Sequence, residues 1–176
     1  MTDLDAIARL FAARSPGHAL PQGLYLGRDA FEFDLAAIFA RRWLMVGFEA
    51  ELPRPGAWMS VQVGPWPVLI TRDREGALHA FHNSCRHRGA RLCAPGKGVS
   101  ARLVCPYHRW TYELSGELVH AARMPDTFDL SGYGLVPAHV AGVGGVLFVC
   151  LAETPPDIGP LRGALEPLLA PHDLRH

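Results

Sequence analysis

Four side chains in two short runs are the residues of this chain best suited to chemistry. Cys85-Arg86-His87 reads C-x-H and Cys105-Pro106-Tyr107-His108 reads C-x2-H, with seventeen residues between His87 and Cys105. Each run offers one thiolate and one imidazole, a donor set that suits zinc or an iron–sulfur cluster. Structural zinc sites pair like with like, roughly C-x2-4-C and H-x3-5-H. Here the pairs are mixed, and a single intervening residue puts Cys85 and His87 at the tip of a tight loop. Two loop tips converging on one cluster fit that spacing better than a zinc knuckle. A two-iron cluster with two thiolates on one iron and two imidazoles on the other uses this donor set. Its chemistry is the transfer of single electrons.

Charge explains why the imidazoles matter. Two neutral imidazoles in place of two thiolates leave the oxidised cluster uncharged instead of doubly negative, so an added electron meets less repulsion. Potentials of such clusters run from about −150 to +300 mV, against about −400 mV for four-cysteine ferredoxins. Reduction also places negative charge beside both rings, which favours proton uptake on their outward nitrogens.

Phe81-His82-Asn83-Ser84-Cys85-Arg86-His87-Arg88-Gly89-Ala90 and Cys105-Pro106-Tyr107-His108-Arg109-Trp110-Thr111-Tyr112 resemble the Rieske domain of Rieske non-haem iron oxygenase α subunits. Leu20 through Trp43 to Gly47, Glu51-Leu52-Pro53 and Pro55-Gly56 are similar to that family's lead-in, so the resemblance runs from roughly Leu20 to the last residues. It implies a Rieske [2Fe–2S] cluster held by Cys85, His87, Cys105 and His108. It also implies electrons arriving from a reductase or ferredoxin and leaving towards a mononuclear non-haem iron. In that family of mono- and dioxygenases, a further domain holds this iron by two histidines and a carboxylate. Its D-x2-H-x4-H motif is not found in this sequence, so the chain by itself is expected to carry electrons and hydroxylate nothing. His172 and His176 share a four-residue spacing but read as solvated side chains.

Around the implied cluster, Arg88 reads as a docking or orienting residue, and Tyr107, Trp110 and Tyr112 as its close surroundings. Respiratory Rieske proteins carry a further cysteine pair and a serine two residues after the last ligand. Ala90, Tyr107 and Trp110 stand at those places here, so that disulfide cannot form and Tyr112 is the hydroxyl left to donate to sulfur. A potential near the low end of the range is expected. Arg109 replaces the Gly of most members; with Arg86 and Arg91-Leu92-Cys93 it is similar to oxygenases of quaternary ammonium compounds such as glycine betaine, choline or carnitine. A free-standing Rieske ferredoxin is the alternative, although such compact carriers need neither the lead-in nor the trailing segment. A zinc-stabilised interaction module is a third reading.

Composition fits a folded domain, with 49% hydrophobic and 19% charged residues and no formal net charge. Nothing in that balance points to nucleic acid or an anionic membrane. Locally the charge is one-sided: residues 76–112 hold no Asp or Glu but do hold Arg86, Arg88, Arg91, Lys97, Arg102 and Arg109. Such a surface favours an acidic redox partner. The most apolar stretch, Val140 to Ala152, is too short to span a membrane. Asp3 and Asp5 argue against a leader peptide, and Cys93 and Cys150 read as reduced thiols, so a cytoplasmic location is expected.

These loops need a scaffold, and the pattern predicts a mainly β domain of antiparallel sheets with an N-terminal helical extension. Leu4, Ile7, Ala8 and Phe11 mark one helix; Phe31, Leu35, Ile38 and Phe39 mark a second, with Asp29 as its N-cap and Glu32 completing a box. Short β-rich runs follow at 43–48, 57–63, 67–72, 78–82, 110–114, 117–120, 136–140 and 145–151, separated by turn residues. Pro95-Gly96-Lys97-Gly98 reads as a turn, and 161–169 as a closing helix weakened by Gly163 and Pro167. The expected division is a lead-in (1–42), the cluster domain (43–152) and a linker (153–176). His79 and His82 read as structural, and Trp43, Trp58 and Trp66 as packing aromatics.

Overall fold

The computed structural model describes residues 3–174, so His176 lies outside the described residues. Among the described residues, ten strands form two antiparallel sheets. The larger has the order β1 (Leu44–Phe48), β10 (Val146–Cys150), β9 (Pro137–Val143), β4 (Leu78–His82), β3 (Trp66–Arg72), β2 (Ala57–Val63) and β5 (Gly96–Val99). The smaller has β6 (Leu103–Val104), β7 (Thr111–Tyr112) and β8 (Leu118–His120). The fold is mainly β, as the pattern predicts.

Side-chain alternation divides the core. Met59, Val68, Ile70 and Ala80 face one cluster with Leu147 and Val149, while their neighbours Leu69 and Phe81 face another with Leu103, Trp110, Tyr112, Leu114 and Leu118. Strand β3 is thus buried on both faces, which is why Val68-Leu69-Ile70 is a continuous apolar run, whereas β4 mixes His79 and His82 with apolar residues. The second cluster also contains the sulfurs of Cys85 and Cys105. The sheets are tied together by the buried Thr71 hydroxyl, which donates to the Leu114 carbonyl at 2.7 Å.

Several sequence expectations need correction. Gly96–Val99 is a strand, not a turn: it pairs with β2 in the register Trp58 to Gly98 and Met59 to Lys97. Its glycine is steric, because a Cβ on Gly98 would lie 2.4 Å from the Trp58 indole. Asp29 is not a cap. It sits in the first turn of α3 (Arg28–Asp34), whose N-cap is Gly27, and Glu32 binds Arg28 at 2.7 Å. Preceding helices are α1 (Leu4–Ala12), capped by the Asp3 carboxylate on Ala6 N–H, and α2 (Gln22–Leu26), which the pattern did not show. A π-helical turn, Leu35–Phe39, continues α3. Within described residues 3–42 only Ile7 and Ala30 are buried, so this layer lies on the surface. At the other end α4 (Gly159–Leu169) forms despite Pro167, packing Leu161, Leu165 and Leu169 on Val143, Val146 and Phe148.

Candidate iron–sulfur centre

Two loops meet over the core beneath the smaller sheet. The first joins β4 to β5 and carries Cys85 and His87; the second joins β6 to β7 and carries Cys105 and His108. They close identically. Cys85 N–H donates to the Ala90 carbonyl at 2.8 Å and Gly89 N–H returns to the Cys85 carbonyl at 2.9 Å. Cys105 N–H donates to Trp110 at 2.8 Å and Arg109 N–H returns to Cys105 at 3.0 Å. Each loop folds back over its cysteine and leaves its histidine at the tip.

Both cysteine sulfurs are buried, while both imidazoles are half-buried. The rings meet edge to face with centroids 4.8 Å apart. Each ring keeps its Nδ1 buried and without a hydrogen-bond partner. A buried polar atom left unpaired is costly, and here two such atoms sit beside two buried thiols. Burial and the neighbouring Cys105 push the Cys85 thiol up, against hydrogen bonds from Tyr112 and the His87 amide. Desolvation, then His87, Arg88 and Arg123, holds His108 below the usual imidazole range and favours its neutral form. Two buried thiols and two unpartnered imidazole nitrogens are a donor set for a cationic centre. Among the described residues no three His, Cys, Asp or Glu side chains are grouped to hold one ion. A two-iron cluster asks only two protein donors of each iron, so these residues fit that group.

The surroundings are equally specific. The buried Tyr112 hydroxyl accepts the Arg86 N–H at 3.1 Å, leaving its own hydrogen for Cys85 Sγ at 3.2 Å. Burial pushes the Tyr112 hydroxyl well above the usual phenol range, so it stays a donor. Trp110 is buried and stacks on the His87 ring, 4.8 Å between centroids and 9° between planes. Tyr107 is 60% exposed and stacks on His108 at 3.8 Å. Arg88 is exposed beside them.

The cationic stretch resolves into two groups. Lys97 pairs with Glu51, Arg102 with Glu113 and Arg91 with Gln62. Among the described residues Arg86, Arg88 and Arg109 have no ion-pair partner and remain exposed near the loop tips. His79 binds Asp73 at 2.6 Å, and His82 is half-buried, its pKa lowered by that burial; neither joins the four donors.

Two contributors escaped the sequence reading. Asn83, buried, accepts the Leu92 and Cys93 N–H groups at 3.0 and 3.1 Å and donates to Ser60 Oγ and the Cys93 carbonyl at 2.8 Å. It pins both ends of the first loop. Its signal was a lone amide just after β4, ahead of the first ligand cysteine. Arg123 comes from the 121–130 segment, whose Phe128 packs on Trp110; nothing in its local sequence marks it.

Antiparallel sheets that present two such loops define a mixed cysteine–histidine iron–sulfur domain. Residues 42–136 match the Rieske [2Fe-2S] domain family, and the chain belongs to that family, whose cofactor is a Rieske-type cluster. The chain is 45% identical over 171 residues to the glycine betaine monooxygenase oxygenase subunit of Chromohalobacter salexigens, covering 97% of this chain and 38% of that one. It is 32% identical to the chlorobenzene dioxygenase subunit alpha of a Cupriavidus species, over 80% of this chain and 32% of the relative. The quaternary ammonium Rieske monooxygenase CntA in complex with L-carnitine superposes with a TM-score of 0.81 at 29% identity, over 88% of this chain and 45% of that one. The chain therefore spans less than half the length of each of these relatives. Among the described residues no helix is long and apolar enough to cross a membrane.

Proposed function

We propose that Cys85 and Cys105 hold one iron of the Rieske cluster and His87 and His108 the other, through their Nδ1 atoms. In this reading the domain accepts single electrons from a reductase or ferredoxin and delivers them towards the mononuclear iron of an oxygenase. The carrying observation is the pair of buried, unpartnered Nδ1 atoms beside two buried thiols. The cluster, when bound, supplies one-electron chemistry; the chain supplies the rest. Two folded-back loops bury the sulfur side, and the half-buried imidazoles leave an outer edge for a partner. Arg86, Arg88 and Arg109 give that edge a positive field, which suits an acidic partner and a docking role for Arg88.

The cluster domain occupies 43–152 in this reading, with 1–42 as lead-in and 153–176 as linker. Likeness to the glycine betaine subunit and the carnitine-bound enzyme supports a quaternary ammonium compound as the substrate of the whole oxygenase. Unbridged Cys93 and Cys150 suit a cytoplasmic setting.

The test is to purify the chain after expression with ample iron and sulfide. Visible absorption and a paramagnetic signal on one-electron reduction are expected, both lost in His87→Ala and His108→Ala. Colourless protein, bound zinc, or an unchanged signal in either variant overturns the ligand assignment.

A further inference from the structure

Three buried side-chain nitrogens among the described residues have no hydrogen-bond partner: His87 Nδ1, His108 Nδ1 and Trp110 Nε1. The proposed ligand set accounts for the first two. It leaves the third, and an indole nitrogen differs from an imidazole in a decisive way: it always carries its hydrogen and can only donate. Trp110 is 2% exposed, so bulk water does not reach it. A buried donor left unmade costs about 1–3 kcal/mol.

The side chain is fixed from several directions. Its ring lies parallel to His87, meets Tyr133 edge-on at 5.7 Å and Phe128 at 5.7 Å, and belongs to the same core as the Cys85 and Cys105 sulfurs. Rotating the indole to reach a distant carbonyl would break this stack. A group seated against the Nδ1 of His87 lies one ring layer from the indole. A sulfide-bridged cluster is such a group, and its sulfurs accept hydrogen bonds.

We propose that Trp110 Nε1–H donates a hydrogen bond to a sulfur of the bound cluster and so favours its reduced form. The inference rests on the ligand assignment above. It revises the expectation that Tyr112 is the remaining side-chain donor, because the indole supplies a second one from the face of His87. The physical ground is that reduction adds negative charge to the cluster, and a donor aimed at it binds the reduced state more strongly.

The test uses the full, cluster-loaded chain. Trp110→Phe retains an aromatic face on His87 and removes the N–H. Its midpoint potential is expected to fall by the equivalent of a tenfold change in the reduction equilibrium, which is about 59 mV for one electron. In wild type, exchange into deuterated water should shift the iron–sulfur stretching bands, and part of that shift should vanish in the variant. If Trp110→Phe loads poorly, electron–nuclear double resonance on reduced wild-type protein with labelled indole nitrogen gives the same answer: coupling to one indole nitrogen is expected. An unchanged midpoint with unchanged isotope shifts, or no indole coupling, overturns the hydrogen bond while the cluster remains. Failure of the ligand assignment looks different, because the wild-type protein would then lack the cluster.

Discussion

Gly89 and Arg109 occupy the same position in two loops built alike. Each lies four residues after a cysteine and returns its N–H to that cysteine's carbonyl, and each has a left-handed backbone, φ +70° and φ +63°. The turn over the sulfur therefore demands positive φ at this point. Glycine meets the demand freely; a side chain carries a steric cost of about 1–2 kcal/mol. Arg109→Gly is expected to raise the melting temperature by about 2–4 °C for each kcal/mol relieved, while Arg109→Ala, which keeps a Cβ, should not. Calorimetry on the loaded protein separates the two. Equal melting temperatures for all three proteins would remove strain from the account. The exposed charge lost with Arg109 should also slow reduction by an acidic ferredoxin at low ionic strength.

Tyr112 couples the first loop to the small sheet through one oxygen. Tyr112→Phe removes the donor to Cys85 and leaves the Arg86 N–H without its acceptor. Stability should fall by about 1–3 kcal/mol, the usual cost of an orphaned buried partner, and the midpoint potential should fall as well. Denaturant unfolding and a redox titration read the two effects independently. A variant with the wild-type midpoint would show that this hydroxyl does not bond to sulfur.

Asn83 makes four hydrogen bonds, two accepted and two donated, with no capacity left over. Asn83→Ala strands the Leu92 and Cys93 amides and opens a hole beneath the first loop. Asn83→Asp keeps the shape but turns two donors into acceptors and buries a charge. Both should bind markedly less iron per chain than wild type, with Asp the worse, because a buried unpaired charge costs more than a cavity. Iron and sulfide assays after equal reconstitution measure this. Full loading of either variant would mean that the loop closes without Asn83.

How far the sequence could be read depends on where each signal resides. The four donors and the strands that carry them are local: ligand types at fixed spacing, and apolar runs bounded by turns. Gly96–Val99 failed because its meaning is tertiary. Four residues with two glycines read as a turn until the Trp58 indole lies across them. Asn83 failed for the same reason, since its partners are 9, 10 and 23 residues away. Asp29 misled because an acidic residue suits a helix's first turn as well as its cap. The unpaired Trp110 N–H cannot be seen in a sequence at all; it exists only once the stack with His87 forms.

Two carboxylates outside the centre should govern its acid stability. Asp73 closes the hairpin between β3 and β4, accepting the Ala77 N–H at 2.7 Å and the His79 ring at 2.6 Å. Burial pushes its carboxyl up, but these hydrogen bonds outweigh burial and leave it below the ordinary value of 3.8. Glu51 is drawn below its ordinary 4.5 by Lys97 first and the Phe48 N–H second, against some desolvation. For both groups the unfolded chain binds the proton at higher pH than the folded one. Their contribution is therefore complete above the ordinary carboxylate values and is lost as pH falls through the lowered folded values. Folding stability should be flat near neutrality on this account and decline below about pH 4.5. Asp73→Asn and Glu51→Gln should each lower stability at pH 7, with the deficit shrinking towards pH 3. Urea unfolding of wild type and variants across that range checks it, because the difference between proteins cancels acid loss of the cluster common to both. A deficit that stays constant with pH would show that these carboxylates act by packing alone.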